Sequence, residues 1–468
     1  PVLSSNATDP MGRDRGTPAP HGLEWLVPGA DDPGEDWRGE AADSLERILE
    51  SFSGESAEAA SVALAGGGAG LAVMLAWIGA TFDRDELLLR AETEWNRTLH
   101  RLASGVAWPG LFSGTAGIGW AAAQLDRDLF GDHSEDVYEE LDRALLDYLS
   151  RTTAPPVELI AGIAGIGVYA LARPSAPGSD RLLREVLCRL EGRIEQRPGG
   201  TTWRKLPEHL VEEERAFAPA GFFNLGLSHG VPGVLLFLAG LVNRGVEAER
   251  AGSLLERSVP WLLAQADDSA PVRYAKCVTL DGIRRPSLPV AWCYGDLGVS
   301  VALLVAGRAV RRPDWEAHAV DLARRCAAVP TAKAEIKDHG LCHGAAGAAH
   351  LLRRLGDATG DETLRLAGER WMRVLLATRR ADLPKFDGYF RIRGDETPDG
   401  IRWYADSDPG LLMGAAGVAL VLASALRPEV PPAWDGFLGL GELPGGVGTS
   451  SGKGVDRITA PGSPAPTE

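Results

Sequence analysis

The residues best suited to bind a metal lie directly before the first glycine of a repeated Gly-x-x-Gly motif. In three repeats this pair of residues contains a thiol or an imidazole: Ser228-His229, Cys293-Tyr294 and Cys342-His343. In the other four repeats the pair contains neither: Ala65-Gly66, Phe112-Ser113, Ile160-Ala161 and Leu412-Met413. Two thiolates and one imidazole supply three zinc ligands and leave the fourth tetrahedral position open for water or substrate. We therefore predict an open, catalytic zinc site formed by Cys293, Cys342 and His343.

The motif occurs seven times, and its spacing indicates which turns are neighbours. The glycine pairs are Gly67/Gly70, Gly114/Gly117, Gly162/Gly165, Gly230/Gly233, Gly295/Gly298, Gly344/Gly347 and Gly414/Gly417. The intervals between first glycines are 47, 48, 68, 65, 49 and 70 residues, which indicates a unit of about 48 residues with about 20 inserted residues in three copies. Cys293 and Cys342 are separated by one uninterrupted unit, so their sulfur atoms are predicted to converge. Binding by both Cys342 and His343 requires a sharp backbone turn, which we expect Gly344 to permit.

Each unit is predicted to supply one buried helix and one amphipathic helix. Segments directly after the motifs, such as 234–241 and 299–306, are apolar almost all round, which is typical of a buried helix. Segment 134–149 instead has apolar residues at helical spacing on one face, after a capping Ser134. Seven such pairs can stack as an open solenoid or close into a ring.

The closed arrangement is favoured because neither terminal repeat has a polar capping face. The predicted fold is all-α: an α/α toroid, or double ring of helices, with the glycine turns together at one end of the inner ring. The three longer intervals correspond to insertions at 196–226, 268–290 and 384–408. The last of these contains a segment, 385–393, that is predicted to be a short strand.

Composition and charge limit the class of partner. The chain has 468 residues, with 64 acidic against 48 basic side chains and a formal net charge of −16, which argues against a nucleic-acid partner. We expect a disordered or vector-derived segment at 1–40, in which Met11 is a candidate start, then the toroid at 41–435 and a flexible Gly/Pro-rich tail at 436–468. The apolar stretch 62–80 contains three consecutive glycines and is predicted to be a loop entering a buried helix, not a transmembrane segment.

The five cysteines are an odd number, scattered along the chain with no secretory signal ahead of them. This usage favours free or metal-bound thiols and a cytoplasmic location over a disulfide framework. Cys188, Cys277 and Cys326 do not lie at the repeat turns, so they are predicted to be ordinary buried cysteines.

Three motifs in the chain resemble those of the lanthionine synthetase C-like proteins, the cyclases of lantibiotic biosynthesis. They are Ser228-His-Gly-Val-Pro-Gly233, Trp292-Cys-Tyr-Gly295 and Cys342-His-Gly-Ala-Ala-Gly347, and the resemblance covers about residues 41–435. It implies an α/α toroid with a central zinc ion bound by Cys293, Cys342 and His343. It also implies an enzyme, a lanthipeptide cyclase, that adds peptide cysteine thiols to dehydroalanine or dehydrobutyrine and forms lanthionine or methyllanthionine rings.

Two further residues are candidates for proton transfer in such a reaction. The addition leaves an enolate that must be protonated at its α-carbon, and His229, on the turn next to the metal turns, is the candidate general acid/base. The resemblance implies the same role for His229. Glu158 stands four residues before Gly162, where the family has an acidic residue, usually Asp. We expect Glu158 to orient His229 or to take the substrate thiol proton, unless it is a plain buried acid at a helix end.

The chain departs from the family pattern at two places beside the site. Asp296-Leu297 replaces the small residue and the proline that commonly follow Cys-Tyr-Gly. An arginine that the family often places shortly before Trp-Cys is absent from 286–291, and Arg284 and Arg285 are the nearest substitutes. Both changes leave the zinc ligands intact and predict altered substrate handling.

The implied partners are a dehydrated precursor peptide and a separate dehydratase, because the sequence contains no kinase or dehydratase segment. Such a cyclase is expected in the cytoplasm, at the periphery of a membrane-associated synthetase complex. The insertions at 196–226 and 384–408 are the expected peptide contacts. One alternative is a zinc enzyme that adds a small thiol such as glutathione to dehydrated proteins. Another is a non-catalytic, zinc-containing toroid that binds a leader peptide or scaffolds a synthetase complex. A prenyltransferase-like subunit would instead require Asp, Cys and His as metal ligands.

Overall fold

Seven inner helices begin at the glycine turns, as the repeat predicts. The computed structural model describes residues 37–53, 61–103, 108–126, 135–397 and 400–443. The inner helices are α2 (Gly68–Thr81), α4 (Thr115–Leu125), α6 (Ile163–Ala172), α9 (Val231–Arg244), α11 (Asp296–Val310), α13 (Ala345–Thr359) and α15 (Ala415–Leu426). In each of them the first motif glycine is the N-cap residue. Most of their residues are buried and apolar, so these helices form the core.

The second glycine of each motif has no room for a side chain. A Cβ atom at Gly117 would meet the carbonyl oxygen of Leu111, and a Cβ atom at Gly347 would meet that of Leu341. The same clash, with the carbonyl oxygen six positions earlier, occurs in all seven repeats. The motif is therefore a packing requirement, because the loop before each inner helix lies directly against the first turn of that helix.

Seven outer helices cover the inner ring, and one of them comes from the opposite end of the chain. Six follow their inner partners in sequence: α3 (Asp85–Ala103), α5 (Glu135–Arg151), α7 (Pro177–Glu191), α10 (Ala248–Leu263), α12 (Pro313–Ala328) and α14 (Glu362–Ala377). The seventh is α1 (Trp37–Ser51), which packs against α14 and α15. The predicted amphipathic helix at 134–149 corresponds to α5, and its predicted cap, Ser134, lies outside the described residues.

The turns form a closed ring of backbone hydrogen bonds at one end of the inner helices. Each turn donates an N–H to the carbonyl oxygen two positions before the first glycine of the next turn. The bonds run from Ala65 to Phe112 (2.9 Å), Phe112 to Ile160 (3.1 Å), Leu159 to Ser228 (3.2 Å), Ser228 to Cys293 (3.3 Å), Cys293 to Cys342 (3.3 Å), Cys342 to Leu412 (3.2 Å) and Leu412 to Ala65 (2.8 Å). The last bond joins the seventh turn to the first, and α15 packs against α2. The predicted α/α toroid is confirmed, and the open solenoid is excluded.

The three insertions contain short strands. β1 (Glu195–Arg197) pairs with β2 (Gly200–Thr202), and a short helix, α8 (Glu212–Phe217), follows them in the chain. β3 (Phe222–Asn224), β4 (Cys277–Thr279) and β5 (Arg284–Arg285) form one antiparallel sheet, which joins the first two insertions. In the third insertion, β6 (Arg391–Thr397) and β7 (Gly400–Asp406) form an antiparallel hairpin.

The prediction of a strand at 385–393 is wrong for the first part of that segment. Residues Lys385–Gly388 form a 3₁₀ turn instead, and the strand begins only at Arg391. Phe386 and Asp387 have φ angles of 52° and 55°. An extended strand cannot contain this left-handed backbone, which turns the chain before the hairpin starts.

Residues 433–443, here called the C-terminal plug, fill the space enclosed by the inner helices. Phe437 packs edge-on against Trp120 of α4, with ring centroids 5.4 Å apart, and Trp434 lies 6.5 Å from Trp77 of α2. The indole N–H of Trp292 donates to the carbonyl oxygen of Leu438 at 2.9 Å. The plug therefore contacts the fifth turn, because Trp292 directly precedes Cys293.

The folded chain extends past both predicted domain boundaries. Helix α1 starts at Trp37, ahead of residue 41, and the buried residues continue beyond 435 through Leu443. The apolar stretch at 62–80 is a turn followed by the buried helix α2, as predicted. In the part of the chain that the structure describes, no helix combines the length and the apolarity needed to cross a bilayer.

Candidate metal centre

Cys293, Cys342 and His343 converge where the fifth and sixth turns meet. Each residue offers one ligand atom, and these three atoms all lie within 4.8 Å of one another. The sulfur of Cys293 is 3.8 Å from Nδ1 of His343. On a tetrahedral zinc ion, two such ligand atoms would lie roughly 3.3–3.8 Å apart. The donor types and their spacing therefore fit zinc, which these residues would hold through two sulfurs and Nδ1. Within the described ranges this is the one such cluster of three found.

The glycines that follow the candidate ligands act in two different ways. Gly295 has a φ of 89°, a left-handed backbone that a residue with a side chain would adopt only with strain. Gly344 has extended backbone, with a φ of −101°. The prediction that Gly344 permits a sharp turn through its backbone freedom is therefore wrong, because its backbone is one that any residue can adopt. Gly344 is needed for space, because a Cβ atom there would meet the backbone of Gly340 and the carboxylate of Asp338.

A buried carboxylate lies behind the candidate histidine ligand, His343. Oδ2 of Asp338 is 3.5 Å from Nε2 of His343, and the Asp338 side chain is 2% exposed. Burial lowers the pKa of His343, but the Asp338 carboxylate and the Cys293 sulfur raise it by more, so the pKa stands well above its usual range. Burial raises the pKa of Asp338, and His343 lowers it by more.

His229 and Glu158 form a second pair, on the turns just before the metal turns. Nδ1 of His229 is 2.7 Å from Oε2 of Glu158. Glu158 also accepts the N–H groups of Ile160 and Ala161. Burial raises the pKa of Glu158, but His229 and these N–H groups lower it by more, so the side chain is a carboxylate. Because a carboxylate only accepts, the Nδ1 of His229 carries the proton and its Nε2 is left to exchange protons.

The turn holding His229 is joined directly to the metal turns. The backbone bond from Ser228 to Cys293 connects the fourth turn to the fifth. The imidazole ring of His229 stacks on the ring of Tyr294 at 6.3 Å, and its side chain is 41% exposed. Glu158 is longer than the Asp that the family usually has here. Its carboxylate folds back to bind the N–H groups of its own loop and from there contacts His229.

A lysine that the sequence did not single out lies beside the site. Nζ of Lys276 is 5.1 Å from the ring centroid of Tyr294. The structure does not bring the two predicted arginine substitutes to this place. Arg284 donates to the backbone carbonyl of Gln265, just before the second insertion, and the guanidinium of Arg285 lies over the ring of Phe217 in the first insertion. Lys276 belongs to none of the motifs. It lies near the turns because the sheet of β3, β4 and β5 joins the two insertions.

The substitution at Asp296 has a structural explanation. Its carboxylate accepts the N–H groups of Arg273 and Tyr274 at 3.0 and 2.9 Å, and burial raises its pKa. Asp296 therefore connects the second insertion to the first turn of α11, three residues after Cys293. A small residue at this position would leave both N–H groups without this acceptor.

The remaining cysteines take no part in the site. Cys277 in β4 is buried, and burial raises its pKa to about 11. Cys326 in α12 is also buried, with a pKa raised well above its usual range for the same reason. The prediction of burial is wrong for Cys188, which lies on the exposed side of α7. An outer helix shows one face to solvent, and Cys188 falls on that face.

The chain is similar to known proteins in family, sequence and structure. The family model described as "Lanthionine synthetase C-like protein" matches residues 58–438. The protein described as "Nisin biosynthesis protein NisC" from Lactococcus lactis subsp. lactis is 22% identical over 340 residues, which cover 68% of this chain and 74% of that protein. The solved structure described as "Nisin cyclase" superposes with a TM-score of 0.66 at 20% identity, covering 86% of this chain and 97% of that chain. This structural likeness supports the toroidal fold.

Proposed function

Because the chain belongs to the lanthionine synthetase C-like family, we propose that it is a zinc-dependent lanthipeptide cyclase. Its reaction is the intramolecular addition of cysteine thiols in a dehydrated precursor peptide to dehydroalanine or dehydrobutyrine, which forms lanthionine or methyllanthionine rings. One observation carries the proposal: Cys293, Cys342 and His343 meet on adjacent turns, and the His229–Glu158 pair lies on the turns beside them.

The residues of this site have distinct tasks in the proposed reaction. Zinc held by the three ligands would lower the pKa of a peptide thiol at its fourth position and so favour the thiolate near neutral pH. The sulfur forms a bond to the β-carbon, and the electron pair of the carbon–carbon double bond moves to give an enolate. His229 accepts the thiol proton at Nε2 and returns it to the α-carbon. No proton is gained or lost overall.

Glu158 supports His229 in this cycle. Its carboxylate holds the Nδ1–H, which keeps Nε2 directed away from Glu158 and available to the substrate. While His229 carries the transferred proton, the adjacent negative charge stabilises the imidazolium. The two backbone N–H groups that bind Glu158 fix its position, so the pair is oriented before the peptide arrives.

The first test is the zinc content of the purified chain. We expect about one zinc per wild-type chain and none in Cys293→Ala or Cys342→Ala, each checked for folding by circular dichroism. Cys326→Ala, which removes a buried cysteine of an outer helix, is the matched control and should keep its zinc. A folded wild-type chain that takes up no zinc from the medium would refute the cyclase and leave a metal-free scaffold as the better interpretation.

The second test follows the chemistry itself. A dehydrated peptide with free cysteines should lose its alkylatable thiols without a change in mass, because ring formation is an isomerisation. His229→Ala should retain zinc and lose this activity. Addition of glutathione to the peptide, in place of ring formation, would support the small-thiol enzyme instead.

The partners of the enzyme follow from this substrate. A separate dehydratase must supply the dehydrated peptide, since the proposed site only adds thiols. We place part of the peptide-binding surface on the third insertion, whose hairpin bears the exposed Arg393 and Arg402. Charge reversal at both positions should weaken peptide binding, measured by fluorescence anisotropy, without loss of zinc. Unchanged peptide affinity would remove the hairpin from the binding surface.

A further inference from the structure

Four of the seven turns begin with a side chain that makes the same backbone contact. In the first turn the hydroxyl of Ser61 accepts the N–H of Ala63 at 3.1 Å, and in three others the acceptor is an amide or a carboxylate. Asn224, Asp338 and Asp408 each stand six residues before the first glycine of their motif, in the fourth, sixth and seventh repeats. In each case one side-chain oxygen accepts the N–H of the glycine two residues later, at 2.9, 3.2 and 2.6 Å respectively. An amide makes this contact in one repeat and a carboxylate in two, so the turn itself does not require a negative charge.

Asp338 differs from the other two in what its second oxygen faces. That oxygen is 3.5 Å from Nε2 of His343, while Nδ1 of the same ring faces the sulfur of Cys293 at 3.8 Å. The second oxygen of Asp408 instead pairs with Arg391 at 2.8 Å. The Asp338 side chain is 2% exposed, and a carboxylate buried so deeply needs a polar partner, which the ring of His343 provides.

We propose that Asp338 is the positioning residue of the metal centre. It accepts the Nε2–H of His343 and thereby fixes the neutral tautomer, in which Nδ1 presents its lone pair to the ion. Metal-binding histidines commonly donate their other N–H to a carboxylate, which orients the ring and strengthens the ligand. Asp338 and His343 stand at the two ends of one short turn, so this orientation is built into the turn before metal binds. The inference rests on the zinc site proposed above.

The variant Asp338→Asn isolates the charge from the backbone contact. Its amide oxygen can still accept the N–H of Gly340, as Asn224 accepts that of Gly226. Its amide nitrogen would face Nε2 of His343 as a donor and so oppose the required tautomer. We expect zinc affinity, measured by competition with a chromophoric chelator, to fall about 10- to 100-fold.

The matched control is Asp408→Asn, which makes the same change in a turn without a metal ligand. Its zinc affinity should stay within about threefold of wild type, whereas removal of a carboxylate that orients a ligand should cost tenfold or more. Cobalt(II) gives a second measurement. At saturation Asp338→Asn should keep the thiolate-to-cobalt charge-transfer band, because both cysteines still bind, while its d–d bands shift relative to wild type. A purely structural defect would not shift these bands selectively.

The outcomes separate this inference from the proposed function. If wild type binds zinc and Asp338→Asn binds it as tightly, or if both Asn variants lose affinity equally, Asp338 does not position the ligand and the cyclase proposal still stands. If wild type binds no zinc, both proposals fail. Should Asp338→Asn not fold, Asp338→Ser, which keeps a neutral acceptor for Gly340, is measured in its place against the same control.

Discussion

His339 makes the stability of the protein depend on pH in a direction that can be worked out. The ring is 1% exposed and neutral: Nδ1 accepts the N–H of Phe390 at 3.2 Å, and Nε2 is 3.0 Å from the hydroxyl of Thr378. Burial lowers its pKa to about 4, against the opposing effect of the Asp338 carboxylate. In the unfolded chain an ordinary histidine has a pKa of about 6.5.

The sign and the size of the effect follow from these two values. Between pH 6.5 and 4 the unfolded chain binds a proton that the folded protein does not, so acid favours unfolding. The free energy of unfolding has its full contribution from neutral His339 above about pH 6.5. Below that pH it falls by about 1.4 kcal/mol for each pH unit. At pH 5.5, which is above the sequence pI of 5.1, the loss should be about 1.4 kcal/mol relative to pH 7.5.

The assay compares wild type with His339→Asn, whose amide oxygen can replace Nδ1 as the acceptor for Phe390 but does not titrate. Both proteins are unfolded with urea at pH 7.5, 6.5 and 5.5, in the presence of a chelator so that metal release does not contribute. The difference in free energy of unfolding should change by about 1.4 kcal/mol across this range. Parallel pH dependences would refute the reasoning, as would a His339 pKa near 6.5 in the folded protein, measured by NMR.

Three further predictions test the remaining parts of the site and the fold. Glu158→Gln should lower the rate of ring formation about 10- to 100-fold with zinc retained, and Glu158→Asp should lose less; equal rates in all three proteins would make Glu158 a structural acid. Ending the chain after residue 435 removes the buried Phe437 and Leu438, whose burial contributes about 1.5–3 kcal/mol each, so the melting temperature should drop sharply. Ending the chain after Leu443 should leave the melting temperature unchanged. Equal melting temperatures for the two truncated proteins would mean that the plug does not contribute to stability. Gly165→Ala, where a Cβ atom would meet the carbonyl of Leu159, should destabilise the protein by about 1–3 kcal/mol, and Gly66→Ala, which meets nothing, should be neutral in the same thermal unfolding measurement.

The sequence was sufficient to predict the ring and the convergence of Cys293, Cys342 and His343, because both depend on the repeat. Consecutive units of a repeat stack side by side, which places Cys293 beside Cys342 without knowledge of any longer-range contact. The role of the motif glycines was harder to predict. Gly344 was expected to act through backbone freedom, but the structure shows that the carboxylate of Asp338 occupies the space that a side chain would need.

The parts that could not be predicted depend on contacts between distant segments. Lys276 approaches Tyr294 only because β3 and β4 join two insertions, and no local pattern encodes that pairing. Residues 436–443 of the C-terminal plug were assigned to the tail at 436–468, whose Gly/Pro-rich composition gives no helical period. Asp338 was missed although its signal was present: comparing the residue six before each first glycine would have grouped it with Asn224 and Asp408.

The position of α1 has a consequence for how the chain reaches its native state. Among the helices that the structure describes, α1 is synthesised before the others, yet it packs against α14 and α15, which are synthesised after them. Its apolar face, which includes Leu45 and Ile48, therefore stays without its native cover during synthesis of more than 300 intervening residues. Ring closure is a late, long-range step, and such steps are slow and prone to aggregation. A circular permutant that starts before α2 and carries α1 after α15 would turn this step into a local one and leave the metal turns as they are.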